Sequence, residues 1–123
     1  MPVSARWLGL ALALVTGALT ASVGGAHAVL QRAEPRVEST LRRPPEEVRL
    51  YFSERLEPAY SSLRVLDARD VRVDRGDSRV DRSNPVVLRV TLPPLRAGTY
   101  RVLWRVLSID ADVTEGSFTF RIE

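Results

Sequence analysis

The strongest constraint on this chain is a rhythm of two. From Val48 onward the sequence is cut into short runs in which apolar side chains recur at every second position, and no helical stripe exceeds two turns. Val48, Leu50 and Phe52 share one face of a first run; Val86, Leu88, Val90 and Leu92 share one face of a second. Tyr100, Val102, Trp104 and Val106 form a third set, and Phe118, Phe120 and Ile122 a fourth. Successive side chains of a strand point to opposite faces, so each run offers one apolar face to a core. Residues 63–66 and 71–73 add two shorter β-like runs, and an N-terminal strand is expected around Ala28-Val29-Leu30. Pro44-Pro45, Pro93-Pro94 and Gly98 fall between runs, where no ladder donor is lost. About seven short strands separated by turn signals predict an all-β sandwich or barrel. Trp104, Phe118 and Phe120 are expected to fill its core, whereas Tyr51 and Tyr60 receive no assignment.

The first 26 residues have a different character. Arg6 supplies a positive start, an apolar run extends from Trp7 to Leu19, and small residues follow up to Ala26. This is the pattern of a secretory leader, and the apolar core is short of the roughly 20 residues a spanning helix needs. Residues 1–26 are therefore read as a signal peptide, expected to be helical, and 27–123 as the mature domain. Cleavage after Ala26 makes His27 the new N-terminus. Cleavage after Ala28 satisfies the same small-residue rule and removes His27, so the sequence leaves both open. A mature chain near 100 residues can bury a working core without staples, as it must here, because the sequence has no cysteine.

The 18 basic residues, all arginine, are nearly balanced by 15 acidic ones. The two signs alternate, as in Asp67-Ala68-Arg69-Asp70-Val71-Arg72-Val73-Asp74-Arg75. Nucleic-acid binding calls for a stripe of one sign, so no nucleic-acid partner is expected. His27 is the only histidine and Met1 the only methionine. Soft thioether or thiolate ligands for a soft metal ion are therefore missing from the expected mature chain. A Ser-His-acid triad would have to use His27, which stands at a chain end with no nucleophile-elbow motif beside it; no enzyme is expected. Read alone, His27 is an ordinary residue, Asp110-Ala111-Asp112 a solvated turn, and Glu54 a partner for Arg55.

Four stretches resemble the CopC-like family of periplasmic copper-binding and copper resistance proteins. They are His27-Ala28-Val29-Leu30 with Glu34-Pro35 and Ser39-Thr40; the run from Val48 to Phe52 ending in Ser53-Glu54; Leu95-Arg96-Ala97-Gly98-Thr99-Tyr100 continuing to Val106; and Ser108-Ile109-Asp110-Ala111-Asp112 followed by Gly116-Ser117-Phe118-Thr119-Phe120. The resemblance implies a Greek-key, immunoglobulin-like β-sandwich or barrel, export to the periplasm, and Cu(II) bound at the mature N-terminus as part of copper homeostasis. It implies as ligands the amine and ring of His27, with Asp110 from the loop and Glu54 alongside. Cu(II) favours such a tetragonal set of nitrogen and oxygen donors. The family's loop histidine falls on Asp112 in this chain. Three readings follow: Asp112 substitutes as a carboxylate ligand, the site accepts another divalent ion, or the site is lost. In the last case the domain is a metal-free module docking an envelope or membrane partner. The resemblance also implies a CopD-like membrane copper transporter as partner, for a soluble, monomeric protein once the leader is cleaved.

Overall fold

A computed structural model describes residues 27–123; the expected leader, 1–26, lies outside them. The described chain forms eight strands: β1 Leu30–Glu34, β2 Thr40–Leu41, β3 Glu47–Phe52, β4 Ser62–Leu66, β5 Arg79–Val80, β6 Val87–Thr91, β7 Gly98–Leu107 and β8 Val113–Ile122. One sheet has the order β1-β3-β6-β5 and is antiparallel throughout. The other has the order β2-β8-β7-β4, in which only the short β2 pairs in parallel, with β8. The all-β sandwich expected from the alternating runs is thus what the chain forms.

The inner faces follow the rhythm closely. Val48, Leu50 and Phe52 of β3, Leu88 and Val90 of β6, Val102 and Val106 of β7, and Phe118, Phe120 and Ile122 of β8 are all buried in one cluster. At β7 the Tyr100 ring stacks on Phe120, and its hydroxyl donates to the Arg96 carbonyl at 2.7 Å. A buried tyrosine hydroxyl needs such a partner, and this one pins the turn that launches the strand. Trp104 packs edge-on against Phe52 across the sandwich and tilted against Phe118 beside it, each at 6.1 Å between ring centres. Directly opposite Trp104 in the β7–β8 ladder stands Gly116. A Cβ there would lie 2.1 Å from the indole, so the ring occupies the space a side chain would need.

The outer face of the first sheet carries charge. Arg49 and Arg89 stand opposite each other in the β3–β6 register, a like-charge pairing that is unfavourable by itself. Glu47 bonds to both guanidinium groups and Asp81 takes Arg89 at 2.9 Å, which turns the clash into a network. Burial works to raise the Glu47 pKa, but the hydrogen bonds from Arg89 and Arg49 outweigh it and hold the carboxyl below its ordinary range. Beside them the Arg32 guanidinium lies 3.9 Å above the Tyr51 ring, its partner in the β1–β3 register, at cation–π distance.

Several local expectations change. The first strand starts at Leu30 rather than Ala28, and Val86 is half-buried while Val87 is buried. The 71–73 run is not a strand: Arg72 makes one isolated bridge to Leu66, and the Val73 amide donates to the Val65 carbonyl. The reason lies in how the β4 edge is covered. The Val65 amide donates to the Asp74 carboxylate and the Leu63 amide to the Ser78 hydroxyl, each at 2.8 Å. Side chains rather than a neighbouring ladder satisfy the β4 donors, and an edge so capped does not recruit another strand.

Candidate metal-binding end of the sandwich

Three chain segments meet at one end, above the Trp104–Phe52–Phe118 cluster. The first is the N-terminal stretch 27–29. Ala28 is 2 % exposed and belongs to the core. Its carbonyl accepts the Thr114 hydroxyl of β8 at 2.9 Å. The Ser53 hydroxyl, just past β3, accepts the Val29 amide at 2.8 Å and donates to the His27 carbonyl at 3.3 Å. The Ser53 amide in turn donates to the Val29 carbonyl. His27 itself is exposed.

The second segment, 53–57, leaves β3 and crosses towards the other sheet. The Leu56 amide donates to the Pro85 carbonyl and the Glu57 amide to the Leu107 carbonyl, and Leu56 bridges Ser108. Glu54 is half-buried within it. The third segment is the β7–β8 hairpin loop. The Ala111 amide closes a turn onto the Ser108 carbonyl, the Ser108 amide donates to the Asp112 carbonyl, and the Asp112 amide returns to the Ser108 hydroxyl. The Ile109 amide donates to the Arg55 carbonyl, which ties the loop to the second segment. Ala111 sits at φ 69°, the left-handed position that such hairpin loops ordinarily give to glycine. The turn places Asp110, exposed, and Asp112, half-buried, on either side of this residue.

All four residues read as ligands from the sequence, His27, Glu54, Asp110 and Asp112, therefore stand on segments tied together at one end. Segments 53–57 and 108–112 carry four carboxylates, Glu54, Glu57, Asp110 and Asp112, and one arginine, Arg55, in a chain whose formal charge is +3. An acidic end on a basic protein concentrates cations locally. Among the described residues no group of three or more His, Asp and Glu side chains converges on a common point. While Ala26 is attached, the His27 backbone nitrogen is an amide, its lone pair delocalised into the carbonyl, rather than a free amine. Sequence reasoning missed Ser53 and Thr114 as tethers of the N-terminal segment. Their hydroxyls act over 26 and 86 positions, a separation no local pattern reveals.

The CopC domain family model matches residues 30–123. The chain belongs to the CopC family. Over 124 residues it is 30% identical to Protein YobA of Escherichia coli strain K12, covering the whole of both chains. Its fold is similar to that of CopC from Methylosinus trichosporium OB3b, with a TM-score of 0.70 at 33% identity over 79% of this chain and 94% of that one. It is also similar to PcoC, a methionine-rich copper resistance protein from Escherichia coli, with a TM-score of 0.68 at 28% identity over 80% of this chain and all of that one. The contrast with PcoC is chemical: this chain's single methionine is Met1.

Proposed function

We propose that the mature domain, 27–123, is an exported Cu(II)-binding protein of copper homeostasis, acting as a carrier or buffer outside the cytoplasm. The observation that carries this reading is the meeting of the N-terminal stretch, the Glu54 segment and the Asp110–Asp112 loop at one acidic end. The family relationship supports copper as the cargo. The donor set fits Cu(II): the amine and imidazole of His27 form one chelate, and Glu54, Asp110 and Asp112 offer carboxylate oxygens. The burial of Ala28 supports leader removal after Ala26, since cleavage after Ala28 would discard a core residue together with His27. A CopD-like membrane transporter is the corresponding partner. The function is binding rather than catalysis, because the one histidine is used as a ligand.

A second reading is favoured by a separate observation. Asp112 stands where the family resemblance places a histidine, and Val29, Ile109 and Val113 are exposed on segments of the same end. On that reading the domain docks an envelope partner without metal.

Native mass spectrometry of the protein secreted from its own host, with and without about one equivalent of Cu(II), separates the two. A mass beginning at His27 that gains one copper, and loses it in His27→Ala, supports the carrier. A mass beginning at Val29, or a His27 form that takes up no copper, leaves the docking module.

A further inference from the structure

The backbone carbonyls of His27, Ala28 and Val29 are consecutive, and each accepts a hydrogen bond from a different donor. The Ser53 hydroxyl serves His27 at 3.3 Å, the Thr114 hydroxyl serves Ala28 at 2.9 Å, and the Ser53 amide serves Val29 at 2.9 Å. Ser53 follows β3 of one sheet and Thr114 lies in β8 of the other, so the stretch is held from both sheets at once. The Ser53 hydroxyl also accepts the Val29 amide, so one oxygen bridges the peptide groups on both sides of Ala28.

A chain terminus is ordinarily the least ordered part of a domain unless tied down. A chelate built on a terminal amine and its own imidazole inherits that disorder, and binding then has to order the terminus as well. We propose that Ser53 and Thr114 are positioning residues: together they clamp the Ala28–Val29 backbone so that His27 is presented, already oriented, to the metal. The inference rests on the Cu(II)-binding reading of this end. The clamp also sets which carboxylates are within reach. Glu54 directly follows Ser53, and Asp112 precedes Thr114 by two residues, a span of about 7 Å of extended chain. Ala28 is itself buried, and His27 before it is exposed.

The test uses the mature protein beginning at His27, with Ser53→Ala and Thr114→Val as the disrupting variants and Ser53→Thr and Thr114→Ser as hydroxyl-retaining controls. Cu(II) affinity is measured by competition with a chelator under conditions where thermal melts show every variant fully folded. Exchange of the Val29 amide is followed by hydrogen–deuterium NMR on the copper-free protein. Each disrupting variant is expected to weaken Cu(II) binding about tenfold, the scale of one lost hydrogen bond. Ser53→Ala is also expected to accelerate exchange of the Val29 amide, and the hydroxyl-retaining controls to restore affinity. Copper uptake by the wild type with unchanged affinity in Ser53→Ala and Thr114→Val overturns the clamp and leaves the function reading intact. Absence of uptake by the wild type overturns the function reading and the positioning role with it.

Discussion

Replacing Gly116 by alanine probes the wall between the core and the proposed metal-binding end. The glycine is in regular β8, so its backbone has no need of glycine's freedom, and alanine in its place would by itself gain about 0.5–1 kcal/mol. Against that, the new methyl carbon would stand 2.1 Å from the Trp104 indole and 2.5 Å from a second indole carbon. The indole must move, and it leans on Phe52 and Phe118. Overpacking costs about 1–3 kcal/mol, and each displaced aromatic pair forfeits about 0.5–1.5 kcal/mol more. The expected net loss is about 2–4 kcal/mol, a large part of the stability of a domain this size. At about 4–8 °C per kcal/mol, the midpoint falls by at least about 8 °C. Trp104 is the only tryptophan of the mature chain, the other being Trp7, so urea titration followed by its fluorescence reports on the displaced ring itself. Because Phe52 adjoins Ser53, the same variant is expected to weaken Cu(II) binding. A Gly116→Ala protein as stable as the wild type, with an unshifted emission spectrum, would refute the claim that the indole fills the glycine's space.

Four further outcomes are expected. Asp74→Ala removes the acceptor of the Val65 and Gly76 amides and of the Arg72 guanidinium; it should cost about 2–4 kcal/mol by chemical denaturation, and a loss below about 0.5 kcal/mol would show that the β4 edge is satisfied otherwise. Burial raises the pKa of Asp74, yet the hydrogen bonds from Arg72, Val65 and Gly76 lower it more, and Glu47 behaves likewise. Folded values below the unfolded ones mean that this stability is present above about pH 4 and is lost as pH falls through the folded pKa values; thermal melts from pH 7 to pH 2 that show no decline would contradict it. Ala111→Gly relieves the left-handed residue of the hairpin loop and should stabilise by up to about 1 kcal/mol, the steric cost less the added freedom of the unfolded chain; a lower melting temperature would count against the loop conformation. Asp112→His supplies a second imidazole and should tighten Cu(II) binding at least about tenfold at pH 7.5, read by chelator competition, with unchanged affinity arguing that the loop does not reach the metal.

The parts of the structure visible in the sequence are those that depend on alternation alone. β3, β6, β7 and β8 are long enough for period two to declare both the strand and its inward face. The two-residue β2 and β5 carry no pattern of their own, since they exist because a longer neighbour offers them a ladder. Residues 71–73 alternate like a strand but are displaced from one by the side chains of Asp74 and Ser78, a competition invisible until the β4 edge is placed. Gly116 is legible as part of a motif, whereas the reason for it requires the register that sets it against Trp104. At the proposed metal-binding end the candidate donors are chosen for their intrinsic chemistry, which the sequence displays directly. The hydroxyls of Ser53 and Thr114 could not, because any serine or threonine can donate, and only the fold decides to what.

The long hairpin strand β8 begins at Val113, beside the proposed metal-binding end, and closes at Ile122 opposite Gly98, after which the Glu123 amide donates to the Leu41 carbonyl. Ten extended residues separate those points, a distance of about 30 Å. His27 and Glu123 thus lie at opposite poles of the described domain. A purification tag, a fluorophore or a surface linker attached beyond Glu123 holds the domain by its far pole and leaves the pole bearing His27 turned outward, whereas the same attachment at His27 would occupy the nitrogen on which the proposed chelate depends.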